Sequence, residues 1–445
     1  MRAPFTDATV NDCRARIRSR NDVVHAVLTV LDEPHVDAQA APQAPLAGVP
    51  YVLKDTWDTA AIRTTGGSWR HRARVPAVSS HAHRALAAAG AVLLGKSNLC
   101  DLAFSTESDN HLRGPVRNPH DLTRTAGGST GGGAAAVADG MAAFDWGTDF
   151  GGSIRAPSAF CGVVGMRLSH AAWPVGIEHF PRIAPFFWDF CGMGPLTRTV
   201  AGARAVTHAV SGALRNDLAH VTMDPDRVVL YEPDAAHEGE WPTFTADALG
   251  LLRSAGVEAL LTRELPSPTE VNALFTEYFA AHFKEFIAGD ELPLAQALPA
   301  VLLGLVSNGR LDKRVHPNTG LLFAGAAALS LRYRNRARAA AKLASLRADV
   351  RALWRRGHLV VTPTCTARPP KHGQAAWAYR LMTFCKLGNM VDATGLALPF
   401  GHYRVRGAVA MPRSLQILGP PGSEDAVLAL AERLETARDA AAAHS

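Results

Sequence analysis

Between Arg124 and Ser158 the chain reads Arg-Thr-Ala-Gly-Gly-Ser-Thr-Gly-Gly-Gly and, after a stretch of small residues, Gly-Thr-Asp-Phe-Gly-Gly-Ser-Ile-Arg-Ala-Pro-Ser. Glycine takes up positive φ without steric cost, so runs of this kind fold as tight loops that let backbone approach a ligand. Each run sets one serine, Ser129 or Ser153, directly after a glycine pair. Backbone N–H groups in such a nest point into one small space, which is how an oxyanion site is built. The two serines stand 24 residues apart, far enough to sit on separate loops and close enough to meet. One can then relay a proton for the other.

With 445 residues and 47% hydrophobic content the chain can bury a large core and is not a disordered polymer. Length alone suggests about three domains, yet no linker, low-complexity tract or internal repeat divides it. One domain over 1–445 is expected, with a helical N-terminal segment over about 1–45, a variable helix-rich part over about 200–356 and an Ala-rich tail after Thr436, about 437–445, that frays. Met1 to Asp12 has no apolar leader core and no uncharged apolar run reaches transmembrane length, so a cytoplasmic protein without a membrane span is expected. Cys13, Cys100, Cys161, Cys191, Cys365 and Cys385 lie scattered without CxxC spacing, which fits reduced, buried thiols better than disulfides or zinc.

Net charge is +6, and much of the excess comes from Arg332 to Arg356. There Leu343, Leu346, Val350 and Leu353 recur at helical spacing among basic residues, predicting an amphipathic helix that ends near Gly357. Its basic face reads as solvated. No aromatic-interleaved groove or nucleic-acid motif accompanies it, so nucleic acid is not an expected partner. Elsewhere Val10–Arg18 and His81–Ala89 read as helices, and Gly48–Leu53, Ala91–Leu94, Arg227–Tyr231, Val257–Leu261 and His358–Thr362 as strands. Pro266 to Arg356 is chiefly helical, and the mixture predicts an α/β layered fold with a central sheet.

Two generic motifs compete for the glycine-rich region with a third reading, a different serine hydrolase. Gly127-Gly128-Ser129-Thr130-Gly131 satisfies GxSxG, but the elbow needs a buried strand before it and Gly114 to Thr125 is too polar. A phosphate loop needs Lys then Ser/Thr after its last glycine, where this chain has Ala134. Ser108-Asp109-Asn110 matches part of the penicillin-binding signature, yet no serine is followed three residues later by lysine. Nor do the 18 histidines form an HExxH or other clustered ligand set, so no metal and no cofactor is expected. A different serine hydrolase remains. A base for it is available in Lys54, which ends the apolar run Tyr51-Val52-Leu53, where burial lowers an ammonium pKa. On that fragment alone a lysine paired with Asp55 or Asp58 is the better reading.

Taken together, these residues resemble the amidase signature hydrolases, a family with a Ser-cisSer-Lys triad. Gly48-Val49-Pro50 with Lys54-Asp55, Thr64 to Ser68, Gly90 to Asn98, Asn110, Gly114, Asn118-Pro119, the glycine–serine stretch, Gly192 to Thr199 and Met411 to Gln416 with Gly419-Pro420 follow the family's blocks in order. The resemblance implies one large domain, a central mixed twisted β-sheet covered by helices on both faces. It implies Ser153 as nucleophile, Ser129 as bridging cis-serine and Lys54 as base. It also implies an oxyanion hole from the backbone N–H groups of Phe150, Gly151, Gly152 and Ser153, with Thr130, Thr148, Asp149 and Arg155 in support. Ser153 as a plain helix cap before Pro157 is the competing reading.

Two positions depart from the family pattern: Thr130 replaces a second serine, and Asp145 replaces a small residue. Asp145 either alters the electrostatics of the strand before the oxyanion loop or is exposed and inert. The aromatic run from Phe180 to Phe190, with Phe186, Phe187 and Trp188, is expected to form an apolar or aryl acyl pocket, core packing being an equal reading. Function is expected to be hydrolysis of a small-molecule amide, with a homodimer allowed. Two alternatives stay open: a glutamine-hydrolysing A-type subunit of a tRNA-dependent amidotransferase, suggested by Asn110 to Pro119 but opposed by Ala156, and a silent scaffold.

Overall fold

The computed structural model describes the chain except residues 1–4, 6–8, 38, 175–179, 181–184, 217–220, 233–240, 284–301, 304–305, 307–311, 404–406, 408 and 444–445, and the side chains of 185–187 and 375–377. Strands are β1 (Val27–His35), β2 (Pro50–Lys54), β3 (Val92–Ser97), β4 (Arg117–Asn118), β5 (Asp121–Thr125), β6 (Phe144–Asp149), β7 (Val164–Arg167), β8 (Gly192–Thr197), β9 (Val228–Tyr231), β10 (Ala259–Thr262), β11 (Leu359–Pro363), β12 (Thr394–Tyr403) and β13 (Met411–Gly419). Eleven of them form one sheet in the order β1-β3-β2-β6-β8-β7-β12-β13-β11-β9-β10, while β4 and β5 pair apart. The pairing is mixed: β2 runs parallel to β3 and β6, whereas β6–β8 and β7–β12 are antiparallel. Central strands β2, β3 and β6 are buried at every position, as strands covered on both faces must be.

Two groups of helices pack on the same strands. α3 (Gly131–Ala138) and α4 (Arg155–Cys161) cover one side; α2 (His81–Ala88), α5 (Val200–Leu214), α6 (Phe244–Ser254) and the C-terminal α12 (Glu424–Ala443) lie together on the other. α3 is built from small residues because it must lie close to its neighbours. A Cβ at Gly128, just before it, would come 2.7 Å from Ser105 O. A further layer is formed by α7 (Pro268–Ala281), α8 (Pro317–Arg332), α9 (Arg336–Arg355) and α11 (Thr383–Met390), preceded by α10 (Ala375–Leu381). α7 starts at a capping box, with Ser267 and Glu270 exchanging hydrogen bonds and Pro268 in the first turn. α9 buries Leu343, Leu346, Val350 and Leu353 against α7, and its basic face carries exposed pairs such as Lys342–Glu277 and Arg347–Asp189.

Three expectations change. The N-terminal segment is not helical to residue 45: α1 (Val10–Val24) ends at His25 in the left-handed region, and β1 follows as an edge strand on β3. The basic run is not one helix, because the chain breaks after Arg332 and restarts with Asn335 capping α9. The C-terminal segment after Thr436 continues as helix α12 through Ala443. Alanine is the strongest helix former, and Arg438 anchors the helix by donating to Pro399 O at 2.8 Å. All six cysteines are buried and unbridged, and among the described residues no helix is long and apolar enough to cross a membrane.

Candidate active site

Lys54 closes β2 and is fully buried. Its Nζ donates to Ser129 Oγ at 2.7 Å, Thr148 Oγ1 at 2.9 Å and Thr148 O at 3.2 Å. Burial drives its pKa from 10.5 down to about 8, while the negative charges of Asp145 and Asp149 act in the opposite direction. Thr148 is therefore the residue that fixes the amine. Thr130 Oγ1 donates to the same Thr148 carbonyl at 3.3 Å.

Ser129 lies between β5 and α3, after a cis Gly128–Ser129 peptide. Ser108 holds it from behind: Ser108 Oγ donates to Ser129 O at 3.1 Å and accepts from Gly131 N at 3.0 Å. Ser153 lies in the loop between β6 and α4, and Thr130 N donates to Ser153 O at 3.1 Å, which ties the two serine loops together. Ser129 and Ser153 line one cavity of about 390 Å³ together with Thr148, Phe150 and Gly151.

One of the four N–H groups expected to form an oxyanion hole is already engaged. Gly152, at φ +109°, donates its N–H to Asp149 Oδ1 at 2.8 Å, so that group is already committed to a carboxylate. Among the described residues, the N–H groups of Gly151 and Ser153 have no acceptor, and both residues line the cavity. Phe150 packs its ring against Phe190, Phe275 and Phe279 at centroid distances of 6.0, 6.1 and 6.4 Å. A Cβ on Gly152 would come 2.5 Å from Cys385 Cβ, so α11 seats directly on this loop.

Asp149 and Arg155 form a fully buried bidentate pair, Nε to Oδ2 at 3.1 Å and Nη2 to Oδ1 at 3.0 Å. Arg155 Nη1 also donates to Gln416 Oε1 at 3.1 Å and Nη2 to Asn389 Oδ1 at 2.7 Å, while Asn389 Nδ2 donates to Asp149 Oδ1 at 2.8 Å. Burial alone would raise the Asp149 pKa, but Arg155 and these donors hold it well below the carboxylate range. The pair is a clamp on the loop, with no proton to give. Asn389 and Gln416 complete it from 234 and 261 residues away in sequence.

Asp145 is not exposed. It is fully buried on β6, where Ser97 Oγ on β3 donates to its Oδ1 at 2.7 Å. Burial pushes its pKa up to about 7, against the pull of the Ser97 hydrogen bond, Lys54 and Lys96.

Among the described residues of the aromatic run, Phe180, Trp188 and Phe190 are not among those that line the cavity. Phe180 is buried against His71 and under the Arg74 guanidinium, 4.1 Å from its ring centroid, and Trp188 packs on His170. Phe190 joins the core beneath Phe150, and the side chains of Phe186 and Phe187 lie outside the described residues. Among the described residues, α7 and α8 contribute Phe275, Phe279, Leu321, Leu322 and Leu329 to the wall. These helices carry apolar faces legible as buried, but nothing local says that they face a cavity.

A match to the Amidase family spans residues 8–428. The chain belongs to the amidase family. This amidase-family chain is 30% identical over 421 residues to a Moorella thermoacetica protein named as the A-type subunit of glutamyl-tRNA(Gln) amidotransferase, covering 88% of this chain and 83% of that one. Among solved structures it superposes on an amidase with a TM-score of 0.72 at 26% identity, covering 96% and 95% of the two chains. It also superposes on 6-aminohexanoate cyclic dimer hydrolase in complex with its substrate with a TM-score of 0.73 at 21% identity, covering 98% and 97%, a likeness of fold.

One further cavity residue was not expected in this amidase-family site. Lys386, on α11 between Cys385 and Leu387, is 1% exposed and lines the cavity. A lysine inside a helix whose every residue is buried is the sequence-level sign of it.

Proposed function

We propose that this protein hydrolyses a carboxamide through an acyl-enzyme on Ser153, with an apolar or aryl acyl group in the α7–α8 cavity. The observation that carries this reading is the contact set of Lys54 Nζ: Ser129 Oγ, Thr148 Oγ1 and Thr148 O at 2.7–3.2 Å, beside a cavity that Ser129 and Ser153 both line. A neutral amine has two N–H donors and one lone pair. Thr148 takes the donors, which leaves the lone pair for the Ser129 hydroxyl proton. Ser129 then takes the Ser153 proton as Ser153 Oγ attacks the amide carbon. The N–H groups of Gly151 and Ser153 meet the charge that develops on the carbonyl oxygen. Reversal of the relay protonates the leaving amine, and water resolves the ester by the same route.

The second reading is glutamine hydrolysis as the A-type subunit of an amidotransferase, favoured by the names of relatives such as the Moorella protein. Glutamine carries an ammonium, and the only carboxylate among the described lining residues, Asp149, is saturated by Arg155, Asn389 and backbone donors. The lining is otherwise mostly apolar. Steady-state hydrolysis of phenylacetamide, hexanamide, acetamide and glutamine separates the two. The proposal expects kcat/KM at least tenfold higher for the bulky apolar amides; preference for glutamine, or glutaminase activity that emerges only with a partner protein, refutes it in favour of the second reading.

A further inference from the structure

Lys386 is the feature of the cavity that the reaction above does not use. Its Nζ donates to Asn272 Oδ1 on α7 and to the Tyr379 carbonyl on α10, each at 2.7 Å, and sits 3.1 Å from the Tyr379 ring centroid. The Phe275 ring lies 5.7 Å away. Every one of these neighbours is uncharged. Among the described residues no carboxylate lies within ion-pairing distance of Lys386, whereas the other charged lining residue, Asp149, is neutralised by Arg155.

Burial pushes the Lys386 pKa well below its ordinary value, because no counter-ion offsets the lost hydration. A brace between three helices needs no charge: a glutamine or methionine would fill the space without that penalty. An amine kept there, in a cavity of about 390 Å³ walled by phenylalanines and leucines, is suited to a ligand that supplies the anion, whose arrival favours the ammonium form with uptake of a proton from solvent. The net charge of +6 draws anions toward the protein in the same sense.

We propose that Lys386 is a specificity-determining residue that receives a carboxylate at the far end of the acyl group, making the preferred substrates ω-carboxy amides, with an apolar spacer between carboxylate and scissile amide. The inference rests on the amide hydrolase reading. It fits the groups that line the cavity: the spacer lies along Phe275 and Phe279, the carbonyl meets Gly151 and Ser153, and the carboxylate completes the coordination of Nζ that Asn272 and Tyr379 begin. Glutamine shares the ω-carboxylate but adds an ammonium that the cavity does not match.

The test measures kcat/KM for succinamic, glutaramic, adipamic, pimelamic and suberamic acids against the uncharged straight-chain amides of equal length, in the native protein, Lys386→Met and Lys386→Arg. Labelling of Ser153 by a fluorophosphonate runs alongside. The expected result is at least one chain length at which the native protein favours the acid tenfold or more, the preference abolished in Lys386→Met and partly kept in Lys386→Arg. Uncharged amides favoured at every length, or a preference that survives Lys386→Met, overturns the inference while labelled Ser153 leaves the hydrolase reading standing. Absence of both labelling and hydrolysis in folded protein overturns the two together.

Discussion

Ser97 and Asp145 reach each other across the strand that carries Lys54. Ser97 is the β3 neighbour of Lys54, Asp145 is the β6 neighbour of Val52, and Ser97 Oγ donates to Asp145 Oδ1 at 2.7 Å. A carboxyl group is thereby fixed beside Lys54 on the same face of the sheet. Its charge favours the ammonium form of Lys54, in opposition to burial. In the proposed relay this pair would tune Lys54 from the neighbouring strands.

The relay requires neutral Lys54, so kcat/KM for an amide should rise with pH through the region of about 8. Asp145→Asn keeps the shape and the Ser97 bond but removes the charge, so the acidic limb of the profile should move to lower pH. An unmoved limb with unaltered folding contradicts the tuning.

Stability should respond to the same substitution with a definite sign. The Asp145 pKa is near 3.8 unfolded and about 7 folded, so the folded state binds the extra proton between those values. The stabilisation is complete below pH 3.8 and is lost as pH rises through about 7. Asp145→Asn has no such loss. Relative to the native protein it should gain on the order of a few kcal/mol between pH 4 and pH 8, measured by denaturant unfolding at both.

Cutting the Asp149–Arg155 clamp from either side leaves a buried charge alone. Arg155→Met should cost about 3–5 kcal/mol of stability, and Asn389→Ala, which removes a donor and an acceptor from the same cluster, about 1–3 kcal/mol. Urea denaturation midpoints measure both. Equal, negligible losses would mean that the loop from Asp149 to Ser153 is held by other contacts.

Gly325 lines the cavity, and a Cβ there meets nothing within 4 Å. Gly325→Leu should therefore fill space meant for the acyl group. The ratio of kcat/KM for phenylacetamide to that for acetamide should fall at least tenfold; an unchanged ratio places the acyl group elsewhere.

The α/β fold and the pairing of two serine loops were legible from local chemistry, serines in glycine nests among alternating helices and strands, while the place of Lys54 beside them came from the family resemblance. Asp145 was not legible, since its burial depends on Ser97, 48 residues away. The commitment of the Gly152 N–H to Asp149 is a matter of loop geometry that spacing does not encode. For the described part of the aromatic run, the core-packing reading has a physical reason. Large rings gain as much from a core as from a pocket, and Phe180 and Phe190 went into the core. Helices α7 and α8 contribute to the cavity wall, and their periodicity marks a buried face without saying what it faces.

Everything proposed for the reaction depends on Lys54, acting through Ser129, making Ser153 the nucleophile. Fluorophosphonate labelling followed by peptide mapping puts that dependence to the test, on the native protein, Ser153→Ala and Lys54→Ala. The expected outcome is a label on the Ser153 peptide of the native protein, none in Ser153→Ala, and labelling slowed at least a hundredfold in folded Lys54→Ala. Label on any other residue, or undiminished labelling without Lys54, would contradict the relay.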